Sequence, residues 1–332
     1  MSFYSRPAKL GLAALASILC LACSVFESQD NEFPDAGPNG PDSLYAGIGQ
    51  GIPFGEVDLP TVEFGSPYTG AELTVRRDNV ASYLRAAQAG KVRLVLNLAG
   101  ASQRYTNPDG TFNLELWKSR IDLYRDVDFG PYVTEGLVLA HFLVDEPGAA
   151  ATWGGQPISR ATIEEMARYS KSIWPTLPTT VRAPPQWLLA GDTSYQSLDI
   201  AWAQWAGPLH GAGTGLTPEQ FRDKNVAFAK QLGLGLVFGL NYLNGGDGSS
   251  GIPGTASHPD QWQMSPAELV NVGTLLIQAP YSCAFLSWHY APEYVGRSDV
   301  RAALDSLASV AAGRGGTSCL RHDSTSATSR GA

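Results

Sequence analysis

Basic residues are scarce and scattered. Lys and Arg number 23 against 31 Asp and Glu, for a net charge of −8. No basic run or basic helix face occurs, so the contacts that hold a phosphate backbone are missing and nucleic acid is not an expected partner. Histidine is rarer still, at five in 332 residues. No two share the i, i+4 spacing of a helical ligand pair, which leaves a metal-assisted reading through His141, Asp145, Asp199 and His289 with little support and no metal site expected. Gly47, Gly49, Gly51 and Gly55 follow an early apolar stretch, but no helix opens directly after them. That argues against a nucleotide turn, and no cofactor is expected. Charged residues are only 16% against 44% apolar, a balance that excludes a disordered chain and supplies a sizeable core.

The N-terminus reads as a targeting segment. Arg6 and Lys9 precede an apolar run, Leu10 to Ala22, too short to span a membrane as a mature helix. Its end, Cys20-Leu21-Ala22-Cys23, resembles a bacterial lipoprotein signal, with Cys20 where that signal usually has Leu. The resemblance implies cleavage before Cys23, lipid on Cys23 and anchoring in the cell envelope. Ordinary secretion is the alternative. Residues 24–43, rich in Pro, Gly and acids, then form a flexible tether. Of the four cysteines this leaves Cys283 and Cys319 in an oxidising compartment. Cys283 begins a strand and Cys319 lies just past the following helix, so a returning helix brings them to one end of the fold, and a disulfide is predicted.

From Leu44 on, strand-like and helix-like segments alternate. The strands are expected at Leu44–Gln50, Val92–Leu98, Leu137–Val144, Thr179–Arg182, Leu198–Ala203, Leu234–Asn241 and Cys283–His289. Most are apolar and uncharged, as strands buried on both faces are. Helices are expected at Arg77–Ala89, Leu114–Val127 and Thr162–Trp174. Two more open on the capping patterns Thr217-Pro218-Glu219-Gln220 and Ser265-Pro266-Ala267-Glu268, and a last one opens at Ser298. Alternation over residues 44–315 implies a (β/α)8 barrel of TIM type with one strand irregular or missing, its expected place being Val57–Phe64 or the stretch from Thr179–Arg182 to Leu198–Ala203. Residues 316–332 are read as a fraying tail.

In such a barrel the chemistry gathers at the C-terminal ends of the strands. Those ends carry Asn97, Asp145, Glu146, Arg182, Trp202, Gln204, Trp205, Asn241, Tyr242, Trp288, His289 and Tyr290. Carboxyl groups for proton transfer, aromatic faces for stacking on sugar rings and amides for hydroxyls together describe a carbohydrate site. Asp145 and Glu146 also admit a bland role as cap and solvated loop acid, and His141 reads as a core histidine.

The segment Phe142-Leu143-Val144-Asp145-Glu146-Pro147 resembles the Asn-Glu-Pro strand end of TIM-barrel glycoside hydrolases of the retaining clan A, with Asp145 in place of Asn. The resemblance implies that Glu146 is a general acid/base, that Trp288 on the last strand floors the sugar site, and that a nucleophilic Glu stands three strands later. That position is Asn241 here. Asp247, in Asn244-Gly245-Gly246-Asp247-Gly248, is the nearest acid; Asp145 itself and the more distant Glu293 are the alternatives. More loosely, the chain resembles exported bacterial proteins of unassigned activity. The expectation is therefore an exported, monomeric glycoside hydrolase in which Glu146 pairs with Asp145 or Asp247. The alternative is a glycan-binding barrel that has lost its second carboxylate.

Overall fold

A computed structural model describes residues 51–209 and 213–321. The signal segment, Cys23, the tether and the expected strand Leu44–Gln50 lie outside the described residues. Eight parallel strands close into a barrel in chain order: β1 (Phe54–Val57), β2 (Gly70–Thr74), β3 (Arg93–Asn97), β4 (Val138–Asp145), β5 (Thr179–Arg182), β6 (Ile200–Trp205), β7 (Gly235–Leu240) and β8 (Ser282–Ser287). Between and after them run α1 (Val80–Gly90), α2 (Leu114–Asp122), α3 (Gly130–Thr134), α4 (Arg160–Ile173), α5 (Pro185–Leu189), α6 (Pro218–Leu232), α7 (Pro266–Ile277), α8 (Pro292–Val295) and α9 (Ser298–Gly313).

The first two strands correct the sequence reading. Val57 is the last residue of β1, and within Val57–Phe64 the chain forms a short 3-10 turn at Thr61–Glu63. β2 was not foreseen. Its sequence, Gly-Ala-Glu-Leu-Thr, has the composition of a loop, and it becomes a strand because tertiary context supplies two neighbours. Gly55 and Gly70 make that pairing close: a Cβ on Gly55 would stand 1.7 Å from the Gly70 carbonyl oxygen. The helix starts follow their caps. Thr217 and Ser265 complete reciprocal capping boxes with Gln220 and Glu268, and Ser159 caps α4.

Strand alternation divides the core in two. Val57, Val95, Ala140, Phe142, Ile200, Trp202, Val237, Ala284 and Leu286 fill the barrel interior. The other face of each strand packs against the helices, as do Trp117, Met166, Phe221 and Leu307. At the bottom of the barrel Cys283 is bonded to Cys319, with Cα atoms 5.1 Å apart. Arg314 also donates to the Ser282 carbonyl oxygen. Residues 314–321 are thus tied across the base, where the sequence alone suggested a fraying end.

Candidate active site

The C-terminal mouth is organised by β4 and β5. Phe142 faces the barrel interior, so strict alternation would turn Val144 inward and Asp145 outward. One extra residue intervenes: Phe142 pairs with Thr180, but Asp145 pairs with Arg182. This bulge re-aims the strand end, and Asp145 joins Phe142 at the mouth. Glu146 follows at φ +38°, a left-handed conformation that a side-chain-bearing residue adopts at some cost. Its backbone is held in place: its N–H donates to the Arg182 carbonyl oxygen at 3.1 Å, and its carbonyl accepts from Trp153 Nε1 at 3.1 Å.

Arg182 is the centre of the site. Its Nε and Nη2 each lie 2.5 Å from one Asp145 oxygen, a bidentate pair. The guanidinium carbon stands 4.3 Å from the Trp288 ring centre, 5.5 Å from that of Trp202 and 5.7 Å from that of Phe142. Burial works against its charge, but Asp145 above all outweighs that and holds Arg182 above its ordinary pKa.

Arg182 lines two cavities. One, of about 420 Å³, is walled by Glu146, Trp187, Trp202, Gln204 and Asn241. The other, of about 340 Å³, is walled by Asp58, Glu72, Asn97, Tyr105, Asp145 and Trp288. Three buried polar atoms here have no hydrogen-bond partner in the protein: Glu72 Oε1, Arg182 Nη1 and Trp202 Nε1. Buried polar groups are paired as a rule, so their convergence on one mouth marks it as a place built to meet a polar ligand.

Two acids here, Glu72 and Glu146, hold their protons more tightly than a free carboxyl does. Burial pushes Glu72 up to about 8; Arg182 opposes this, and Asp58 and Asp145 add to it. Glu146 is raised as well, first by the protein packed around it and then by Asp145, with Arg182 and His258 pulling the other way. Its side chain nonetheless reaches solvent.

Eight of the predicted site residues thus come together: Asn97, Asp145, Glu146, Arg182, Trp202, Gln204, Asn241 and Trp288. The others do not join them. Trp205 is odd where Trp202 and Gln204 are even, so it faces the helices and packs on Phe221 at 5.2 Å between ring centres. Tyr242 is fully buried, stacked on Tyr294 at 4.8 Å, with its hydroxyl committed to Glu56 and the His289 carbonyl. His289 packs edge-on against Trp288 and lines neither cavity, and the Tyr290 hydroxyl donates to Glu63. Asp247 is exposed on its loop, accepts from the Ser249 N–H at 2.7 Å and donates its own N–H to Glu268 in the cap of α7. It stands outside both cavities, as does the exposed Glu293 in α8.

The residues of the metal-assisted reading are dispersed. His141 is buried against Trp117 and hydrogen-bonded to Ser170 at 2.8 Å, and burial drives it down to about 3. Asp199 precedes β6, at the opposite end from Asp145, and pairs with Lys171 at 2.8 Å. Among the described residues no three His, Cys, Asp or Glu side chains gather as they would around a metal ion.

Sequence reasoning missed Glu72, Asp58, Tyr105, Trp153 and Trp187. A signal for Glu72 existed: in Gly70-Ala71-Glu72-Leu73-Thr74-Val75 the apolar residues alternate with Gly, Glu and Thr. That is the pattern of a strand whose inner face is polar. Trp187, on α5, is seated by Gly148, where a Cβ would stand 2.5 Å from its Nε1, and by Arg160, whose guanidinium carbon lies 4.4 Å from its ring centre.

No known protein family matches the sequence, and neither does any curated protein. Solved structures do resemble the fold. A beta-glucanase, SdGluc5_26A from Saccharophagus degradans, superposes with a TM-score of 0.50 at 10% identity, over 79% of this chain and 88% of its own. A beta-galacturonidase from Eisenbergiella tayi superposes with a TM-score of 0.50 at 11% identity, over 81% of this chain and 54% of its own. At such identities the likeness is one of architecture: the chain is a (β/α)8 barrel built like those of glycoside hydrolases.

Proposed function

We propose that the protein is a glycoside hydrolase acting on an oligo- or polysaccharide at the mouth of the barrel. One observation carries this reading: the neighbouring acids Asp145 and Glu146 and the Arg182 beside them line two cavities with tryptophan in their walls, whose lining residues also hold three buried polar atoms with no protein partner. Trp187 and Trp288 are half-buried and offer faces for sugar rings, while the fully buried Trp202 backs Arg182. Asn97, Gln204 and Asn241 offer amides for hydroxyl groups. Glu146 is one of the carboxyl groups that work on the bond, and Asp145, held in place by Arg182, sets negative charge beside the anomeric carbon, where positive charge develops.

Product release from a polysaccharide panel by wild type and by Glu146→Gln tests this. Loss of about 100-fold or more in the variant is expected for a carboxyl group engaged in proton transfer; equal rates in both proteins would remove Glu146 from the chemistry. A second reading has its own observation. The end of β7 presents Leu240 and Asn241 where an acid is expected, and a barrel that only binds glycans would show affinity on a glycan array with no released product.

A further inference from the structure

We propose that Glu72 is the proton donor of this hydrolysis and that the two sugar units flanking the cleaved bond lie in the two cavities on either side of Arg182. This rests on the glycosidase reading and supplies the second carboxyl group that β7 lacks.

Glu72 points into the barrel from β2, pairing by backbone with Val57 and Val95, and lies just below Asp145 and Arg182 in the same cavity. It is 3% exposed, and its Oε1 has no partner. The neighbouring cation, Arg182, spends Nε and Nη2 on Asp145 and makes no hydrogen bond to Glu72 Oε1. A buried carboxylate without a partner is costly, so the group keeps its proton instead. Burial therefore holds it neutral up to about 8. A protonated carboxyl on the wall of a cavity that Tyr105, Trp153 and Trp288 also line, next to Asp145, meets the requirements of a general acid.

Glu146 stands on the other side of Arg182 and reaches solvent, so it is placed to receive a proton from water. The step balances. Glu72 gives its proton to the glycosidic oxygen as the bond from that oxygen to the anomeric carbon breaks, and the electron pair leaves with the oxygen as an alcohol. A water attacks the anomeric carbon and its proton passes to Glu146. Arg182, which lines both cavities, carries a donor with no partner in the protein, Nη1, between the two sugar sites. A substrate that fills both cavities has at least two rings, so a chain is cleaved between units held by the protein on each side.

The test compares wild type, Glu72→Gln and Glu146→Gln on the polysaccharide that the wild type cleaves and on a dinitrophenyl glycoside of the same sugar. The phenolate of that glycoside departs without being protonated. If Glu72 is the donor, Glu72→Gln loses about 100- to 10,000-fold in kcat/KM on the polysaccharide but less than about tenfold on the dinitrophenyl glycoside, while Glu146→Gln loses on both. Rescue of Glu146→Gln instead, or wild-type rates in Glu72→Gln, overturns the proposal and leaves the glycosidase reading standing. A wild type that releases nothing from either substrate class overturns both. Circular dichroism establishes that each variant folds. Should Glu72→Gln not fold, the wild type's pH profile decides: an alkaline limb of kcat/KM near 8 is expected, and activity already lost by pH 6 overturns the assignment.

Discussion

Replacing Glu56 with glutamine should make the protein more stable at alkaline pH and leave its stability unchanged in acid. Glu56 lies on the outer face of β1, 1% exposed, between two tyrosines. The Tyr68 hydroxyl donates to its Oε1 at 3.2 Å, and the Tyr242 hydroxyl lies 2.5 Å from its Oε2 and 2.7 Å from the His289 carbonyl oxygen. Tyr242 has one hydrogen to give, and the carbonyl can only accept. The contact to Oε2 is therefore best satisfied when Glu56 itself carries a proton. Burial raises its pKa from 4.5 to about 7. A rise of that size, at about 1.4 kcal/mol per pH unit, is worth about 3 kcal/mol.

The sign follows from which state holds the proton more tightly. The folded state does, so the stabilisation is complete below pH 4.5 and is lost as the pH rises through 7. Glutamine keeps a donor for Tyr242 and an acceptor for Tyr68 but does not titrate. Urea unfolding followed by tryptophan fluorescence at several pH values should show the two proteins alike near pH 4.5, and Glu56→Gln ahead by about 3 kcal/mol at pH 8. Glu72 titrates in both proteins and cancels from the difference. A gap that stays constant with pH, or one that favours wild type at pH 8, would refute the reasoning.

Two further predictions concern side chains that the sequence grouped together and the structure separates, and the segment before the barrel. Trp205→Ala should cost about 3–5 kcal/mol in thermal or urea unfolding, because it opens a cavity against Phe221, with KM unchanged where the fold survives; Trp288→Ala should instead raise KM for a glycan, since its ring lies against Arg182 at the mouth. Cys23→Ser, expressed from the full chain in a bacterial host, should abolish palmitate labelling and move the protein from the membrane to the soluble fraction; unlabelled wild type would instead favour simple secretion.

Much of the architecture was legible because its signals are local. Continuous apolar runs such as Leu137–Val144 mark strands buried on both faces, capping boxes at Thr217 and Ser265 mark helix starts, and alternation of the two implies the parallel barrel. The Cys283–Cys319 bond was legible for a related reason, since a strand and its returning helix place their ends by topology alone. The gathering of carboxyl, amide and tryptophan at the strand ends followed from the same plan.

What the sequence could not decide was which way the side chains face. Period-two alternation sorts Trp202 from Trp205 once the strand is known, but the extra residue in β4 that turns Asp145 inward appears only when β4 is laid against β5. β1 and β2 were hidden because they are only four and five residues long and lack the continuous apolar run of the other strands; the alternation in β2 puts Gly, Glu and Thr on the inner face. With β2 went Glu72, and with β1 went Glu56. Chain order alone therefore determined a barrel with an acid-bearing mouth, centred on Asp145 and Glu146. Only the closed sheet, which makes distant strands neighbours and excludes water from the space they enclose, decided that Arg182 pairs with Asp145 and that an unpaired carboxyl from β2 stands beneath them.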